Sequence, residues 1–401
     1  MLTLQYLEDR PDLSQLPVNQ VVDRLRTALE LLPITHLLIG WNVPPRLLDA
    51  CREEAARSGV QFFRWHPLLT GDGVLGPRPD WRAVGLSGGR IAGYRGLPEF
   101  TFVCPNHPEV HAAVLQHLAM LIESAQYDGF FLDRIRFPSP ARDPIGELGC
   151  FCVHCHAAAD REGFDLGEAR ARLSGLAREQ LGIRTFVRAL LGGSADGRDG
   201  STQQALATLW RFRQSSVTAL VAAAARKIRQ AGGGVGLDCF APSLARMVGQ
   251  DLASLARHAD WIKVMTYGHT LGPAGMPFEL LGLADLLVLR GGLGESEALA
   301  SIAGQVELEL PVTRAALREV GLSAAAISRE VARAVREVEA PVLAGIEVVS
   351  LEGIAQPDQE QIQTDLAAVR AAGAAGLAVS WDLLEIPESN LRAVRHGWMG
   401  E

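Results

Sequence analysis

The sequence lacks a positively charged leader followed by an apolar run; it opens MLTLQYLEDRPDLSQL. No secretory signal peptide is visible, so a cytoplasmic location is expected. It also lacks any charge-free stretch of about 18 apolar residues, so no membrane span is expected. Basic residues are not in excess: 38 Lys and Arg stand against 46 Asp and Glu, for a formal net charge of −8. Nucleic-acid binders normally carry a basic stripe, which argues against that class of partner. Low-complexity tracts and an internal boundary are missing, which points to a single domain over residues 1–401. Cysteine is sparse, with six residues, yet Cys150, Cys152 and Cys155 crowd into one loop. Without an export signal, such crowding suggests metal rather than disulfides.

What is present is ample core material, with 48% hydrophobic and 21% charged residues. Short apolar runs alternate with helical patterns. The expected strands are His36–Trp41, Gln61–His66, Phe100–Cys104, Gly129–Asp133, Gly234–Asp238, Trp261–Tyr267, Pro341–Glu347 and Gly376–Trp381. Helices are expected at about Val18–Leu31, Arg46–Ser58, Pro108–Ser124, Asp251–His258, Asp358–Ala372 and Ser389–Arg395. Near-continuous apolar strands separated by helices favour a parallel sheet covered on its outer face. Eight such units predict a closed (β/α)8 TIM barrel. A small hairpin insertion is expected after strand two, about residues 71–96. Long helical insertions are expected after strands four and six, about 139–230 and 268–340. Within the first of these, Gly192–Gly200 reads as a mobile loop. An open dinucleotide-binding sheet would need a glycine-rich first turn, but Trp41 is followed by Asn-Val-Pro-Pro.

Barrel enzymes place their chemistry at the C-terminal ends of strands. Here those ends carry Asp133, Asp238, Glu347 and Asp382, with Arg136, Tyr267 and His269 following close behind. Trp41, Trp65, His66 and Trp381 stand at the same level. A carboxylate at the end of an apolar run is costly to bury alone, so it needs a partner or changes its protonation. Several converging on one mouth supply the pair that glycosidic cleavage requires. Asp133, Asp238 and Glu347 are the catalytic candidates. Trp41, His66, Arg136, Tyr267, His269, Trp381 and Asp382 are the substrate-binding candidates, since aromatic faces suit sugar C–H surfaces. Each has a plainer alternative: an acid bracing the barrel against an arginine, a ring capping the core, a histidine satisfying a turn.

The segment Cys150-Phe-Cys152-Val-His-Cys155 has C-x-C-x-x-C spacing, close enough for three thiolates to share one tetrahedral zinc. Cys104 is the best fourth ligand, with His154 or His156 as alternatives. The C-x-x-x-C-x-x-C spacing of radical iron–sulfur enzymes is absent. A zinc closed by four protein ligands is structural, with no open position for catalysis.

The set Cys104, Cys150, Cys152 and Cys155 resembles the structural zinc site of the β-galactosidases of glycoside hydrolase family 42. The segments Asp128–Pro138 and Asp260–Tyr267 are similar to the strand-four and strand-six motifs of the wider glycoside hydrolase-like TIM barrels. The resemblance implies a retaining glycosidase acting on a carbohydrate substrate. The galactosidases carry an Asn-Glu pair at the end of strand four, where this chain has Leu132-Asp133. In their frame Asp133 would be the acid and Glu347 the nucleophile. In the frame of amylase-like barrels Asp133 attacks and Asp238 protonates. Two other classes stay open: a non-catalytic sugar-binding barrel, and a methyl transferase using an open zinc–thiolate. The long insertions offer room for lids or for contacts in a homo-oligomer.

Overall fold

The computed structural model describes the chain except residues 9–12, 14–15, 71–74, 76–77, 125, 177, 194–199 and 401. The side chains at 8, 41 and 200–202 also lie outside the described residues, as do Trp41's proposed contacts and most of the 192–200 loop.

Eight parallel strands close in chain order: β1 Leu2–Glu8, β2 His36–Trp41, β3 Gln61–Pro67, β4 Gly129–Asp133, β5 Gly234–Phe240, β6 Trp261–Met265, β7 Val342–Glu347 and β8 Gly376–Ser380. β8 pairs back onto β1, so the sheet has no free edge. Around it run α1 Val18–Leu31, α2 Pro45–Arg57 and α3 Pro108–Glu123. The β4–β5 insertion contributes α4 Val153–Glu162, α5 Leu166–Leu176, α6 Gln180–Leu190 and α7 Gly200–Gln230, and short α8 Pro242–Ala245 and α9 Leu252–Ala256 follow β5. The β6–β7 insertion contributes α10 Met276–Leu289, α11 Glu295–Val306, α12 Arg314–Glu319 and α13 Ala324–Glu337. Helices α14 Gln359–Ala371 and α15 Glu388–Val394 close the chain. No helix among the described residues is long and apolar enough to cross a membrane.

Local chemistry accounts for many boundaries. Ser323 and Asp358 cap α13 and α14 by accepting Ala326 N–H and Gln361 N–H, worth about 1 kcal/mol each. In α1, Val21, Leu25 and Ala28 recur at helical spacing and are the face turned to the core. Asp128 and Asp260, just ahead of β4 and β6, accept the backbone N–H of Phe62 and Val235, each at 2.7 Å. These two acids tie neighbouring strands at the N-terminal rim, where such residues serve stability.

One expected strand is replaced by another. Leu2–Glu8, not foreseen, is β1. Its Leu2, Leu4 and Tyr6 pack toward the helices, while Gln5 reaches Lys263 of β6. A single short run of this kind is not assigned to a barrel by periodicity alone. Conversely, Phe100–Cys104 is not in the barrel: β3 pairs directly with β4. The segment makes isolated antiparallel bridges, Thr70 to Phe102 and Arg82 to Val103. It is apolar because it is buried under a loop, and a short apolar run does not reveal which kind of burial it serves. The bridge between Val84 and Arg90 sits in the expected hairpin region, which follows the third barrel strand rather than the second.

The lumen has its own core. Leu7, Leu38, Phe63, Trp65, Phe131, Trp261 and Leu343 form one buried cluster drawn from six strands. Phe131 and Trp261 stack at 5.2 Å. Gly40 leaves room for Trp65: a Cβ there would lie 2.8 Å from its ring. Gly345 does the same for Lys263, whose Cε would lie 2.5 Å from an added Cβ.

Candidate active site

The lumen floor is aromatic, and polar groups begin one layer above it. Asp238 of β5 stands opposite Lys263 of β6 in the ladder. Its Oδ2 accepts from Lys263 Nζ at 2.9 Å, and both side chains are almost fully enclosed. Nζ also donates to Gln5 Oε1 at 3.2 Å. Oδ1 of Asp238 has no hydrogen-bond partner among the described residues. Burial pushes the Asp238 carboxyl up to about 7; Lys263 and Arg136 oppose that shift, while the charge of Asp133 adds to it. Burial works against the Lys263 ammonium, yet Asp238, Tyr267 and Asp133 outweigh it and raise its pKa. These neighbours favour the charged ammonium, which is a poor nucleophile.

Asp133 closes β4 and is only partly buried. Its Oδ2 accepts from Trp65 Nε1 at 2.9 Å, and its Oδ1 accepts the backbone N–H of Arg134. Two donors on two oxygens fix the plane of the carboxylate. The next residues turn sharply, with Arg134 at a positive φ of 53°. The Arg134 guanidinium lies 4.8 Å from the Phe100 ring. That of Arg136 sits between Phe102 and Phe240, at 4.3 and 4.7 Å. Burial lowers Arg136 to about 10, with Glu279, Asp133 and Asp238 supporting its charge. Glu279, fully buried on α10, accepts from Ser139 Oγ and from Ala274 N–H; burial raises its pKa. Gln250 ties the two acid-bearing strands: it accepts from Phe240 N–H at 2.8 Å and donates to the carbonyls of Ile135 and Asp238 at 3.3 and 3.4 Å.

Tyr267 lies over this group, hydrogen-bonded to Lys263 and Ser380, its hydroxyl pushed by burial up to about 12. Its ring is 5.7 Å from that of half-buried Trp381. Glu347 ends β7 beside Ser380 of β8. Burial pushes it up to about 7, and the opposing charge comes from His269. His269 donates its backbone N–H to Glu347 Oε1, while its ring faces Asp365 Oδ2 at 2.9 Å and Val320 O at 3.0 Å. Nδ1 also faces the Gln361 side-chain amide nitrogen at 2.7 Å, while the carboxylate at Nε2 favours the charged ring. Burial opposes that charge, but Asp365 and Glu347 prevail and raise the pKa. The ring borders a lateral cleft of about 730 Å³ formed with α13 and α14.

The anticipated residues therefore fall into separate groups. Asp133, Asp238, Arg136 and Tyr267 share one electrostatic neighbourhood with Lys263. Glu347 and His269 form a second with Asp365. Asp382 is buried, and its Oδ1 accepts Leu384 N–H at 3.1 Å, capping the turn after β8. His66 is not brought to the mouth. It alternates with lumen-facing Trp65 and packs on His117 of α3 at 5.4 Å, where burial drives it down to about 3.

Sequence reasoning missed Lys263, Gln5, Arg134, Glu279 and Gln250. Lys263 and Glu279 carried a usable signal, each being a charge inside an otherwise apolar run.

The four cysteines Cys104, Cys150, Cys152 and Cys155 cluster with sulfurs within 4.8 Å of one another. Cys104 lies 3.4 Å from Cys155 and 3.5 Å from Cys152. Tetrahedral ligation at ~2.3 Å implies sulfurs about 3.8 Å apart, so the donor set fits a metal such as zinc. Val84 N–H points at Cys150 Sγ at 3.2 Å, and Asn106 Nδ2 at Cys155 Sγ at 3.4 Å. Such donors stabilise thiolate character. All four cysteines are free of disulfides.

Neither any protein-family model nor any curated protein matches the chain. Solved structures do. The PgaB (BpsB) glycoside hydrolase domain from Bordetella bronchiseptica superposes with a TM-score of 0.51 at 13% identity, covering 99% of this chain and 98% of that one. A class V chitinase from Pseudomonas fluorescens Pf-5 gives 0.50 at 11% identity, covering 99% of both. The β-galactosidase from the psychrophilic Marinomonas ef1 gives 0.56 at 12% identity, covering 98% of this chain and 58% of that one. At such identities the likeness is one of architecture: this chain has the TIM-barrel fold that these glycoside hydrolases share.

Proposed function

We propose that the protein is a glycoside hydrolase whose central carboxylate is Asp133, paired with Asp238. The observation that carries this reading is the split between them. Asp133 stands at the rim with both oxygens oriented by N–H donors, whereas Asp238 is enclosed and poised to hold a proton near neutral pH. Glycosidic cleavage needs such a division, with one group giving a proton to the leaving oxygen and another attacking carbon or activating water. Lys263 and Arg136 keep the pair from repelling itself apart. The electrostatic isolation of Glu347 with His269 and Asp365 favours Asp238 over Glu347 as the partner of Asp133. Half-buried Trp381 offers ring surface for a sugar, and the partner class is carbohydrate. The architecture shared with glycoside hydrolases supports the same reading by analogy only.

For the cysteine cluster we propose a structural zinc. Four sulfurs complete its shell, leaving no open position of the kind a zinc–thiolate methyl transferase needs. The metal would brace the loop after β4 and thereby the segment that follows Asp133.

The test is a screen of aryl glycosides and amino-sugar oligomers with wild type and Asp133→Asn. Turnover by wild type that falls about a thousandfold or more in the variant, with an unchanged fold, is the expected result. Glycan binding that is equal in both, with no turnover in either, means a non-catalytic carbohydrate-binding barrel instead.

A further inference from the structure

Arg213 on α7 has no solvent exposure at all. Nη1 donates to Met247 O at 2.7 Å. Nε and Nη2 have no hydrogen-bond partner among the described residues. Its guanidinium lies 4.8 Å from the Phe137 ring and 5.4 Å from the Trp210 ring, contacts that give only partial compensation. Burying a cation on such terms is costly unless an opposite charge lies nearby.

Burial lowers the Arg213 guanidinium to about 9, and the charges that favour its protonated form come from Cys150 and Cys155. The same helix face is joined to the cysteine cluster through a single side chain. Ser216, one turn on, accepts from Asn106 Nδ2 at 3.0 Å, and Asn106 Nδ2 also points at Cys155 Sγ at 3.4 Å. Four thiolates around a divalent ion carry a net charge of −2 in a buried site.

We infer that Arg213 is the built-in counter-charge of the cysteine metal centre, an inference that rests on the metal reading above. With metal bound, the guanidinium offsets half of the dianion. With four neutral thiols, the same guanidinium is a lone buried cation. Arg213 therefore favours the loaded protein and penalises the empty one, coupling metal retention to stability through charge as well as through ligation.

The test compares full-length wild type, Arg213→Met, Arg213→Lys and Arg213→Gln, with exposed Arg211→Met as control. Zinc affinity is read by competition with a chromophoric chelator, and melting temperature with and without zinc. Arg213→Met is expected to weaken zinc by about tenfold or more. Loaded, it should melt below wild type; empty, it should melt above it. Arg213→Lys should hold zinc nearly as well as wild type, and Arg213→Gln should not. Unchanged affinity in Arg213→Met, or an equal loss of stability in both forms, overturns the counter-charge and leaves a packing role. Should Arg213→Met not fold, equal affinity losses in the Lys and Gln variants overturn it likewise. A wild type that binds no zinc removes the metal reading itself.

Discussion

Replacing Lys263 with methionine is the sharpest probe of the lumen. The substitution keeps an unbranched apolar stem beside Gly345 and removes the charge that Asp238 faces at 2.9 Å. Removing one member of a buried ion pair typically costs about 3–5 kcal/mol. Unfolding entropy of about 2.1 cal/mol/K per residue makes each kcal/mol worth about 1 °C in a chain of this length, so melting should fall by roughly 4–6 °C. The pH dependence separates charge from packing. In wild type the Asp238 carboxyl titrates near 7, above its unfolded value, so stability falls as pH rises toward 7 and then levels off. Without Lys263 the folded pKa climbs further and the fall continues above pH 7, at up to about 1.4 kcal/mol per unit. The gap between variant and wild type should therefore widen between pH 7 and pH 9 in thermal melts. A gap that is the same at pH 6, 7 and 9 refutes the ion-pair account and leaves only lost packing.

The remaining expectations concern the metal and the outer wall. Chelation should lower the melting temperature by several degrees while altering turnover less, because a closed four-sulfur site supplies bracing rather than chemistry. Melting unchanged by complete metal removal, checked by elemental analysis, contradicts that role. His66 is held down to about 3, below its unfolded value, so its neutral form contributes stability that is present above about pH 6.5 and is lost as pH falls toward 3. His66→Phe should flatten denaturation midpoints across that window, and a variant as acid-sensitive as wild type places the sensitivity elsewhere.

Periodicity alone made the barrel legible, because seven of its eight strands are apolar runs flanked by helices. Its limits show at particular residues. Phe100–Cys104 has the composition of a barrel strand and is a covered loop, since burial demands apolar side chains whatever the pairing. Leu2–Glu8 carries a polar residue, Gln5, on its lumen face, where it accepts from Lys263 and interrupts the apolar run. Among candidate site residues, Asp133 and Asp238 were readable as acids ending apolar runs. That Glu347 keeps company with His269 and Asp365 was not, because Asp365 is brought there by the packing of α14.

What the sequence by itself determined is local: which runs are strands, where charge interrupts them, and that Cys150, Cys152 and Cys155 lie close enough to share an ion. Each follows from spacing along a chain whose bond geometry is fixed. What only the tertiary structure decided is which charge faces which. The pairing of Asp238 with Lys263, the turning of His66 away from the lumen, and the link from Ser216 through Asn106 to Cys155 join residues far apart in sequence. Their energies depend on distance and burial in space, and only barrel closure and helix packing set those.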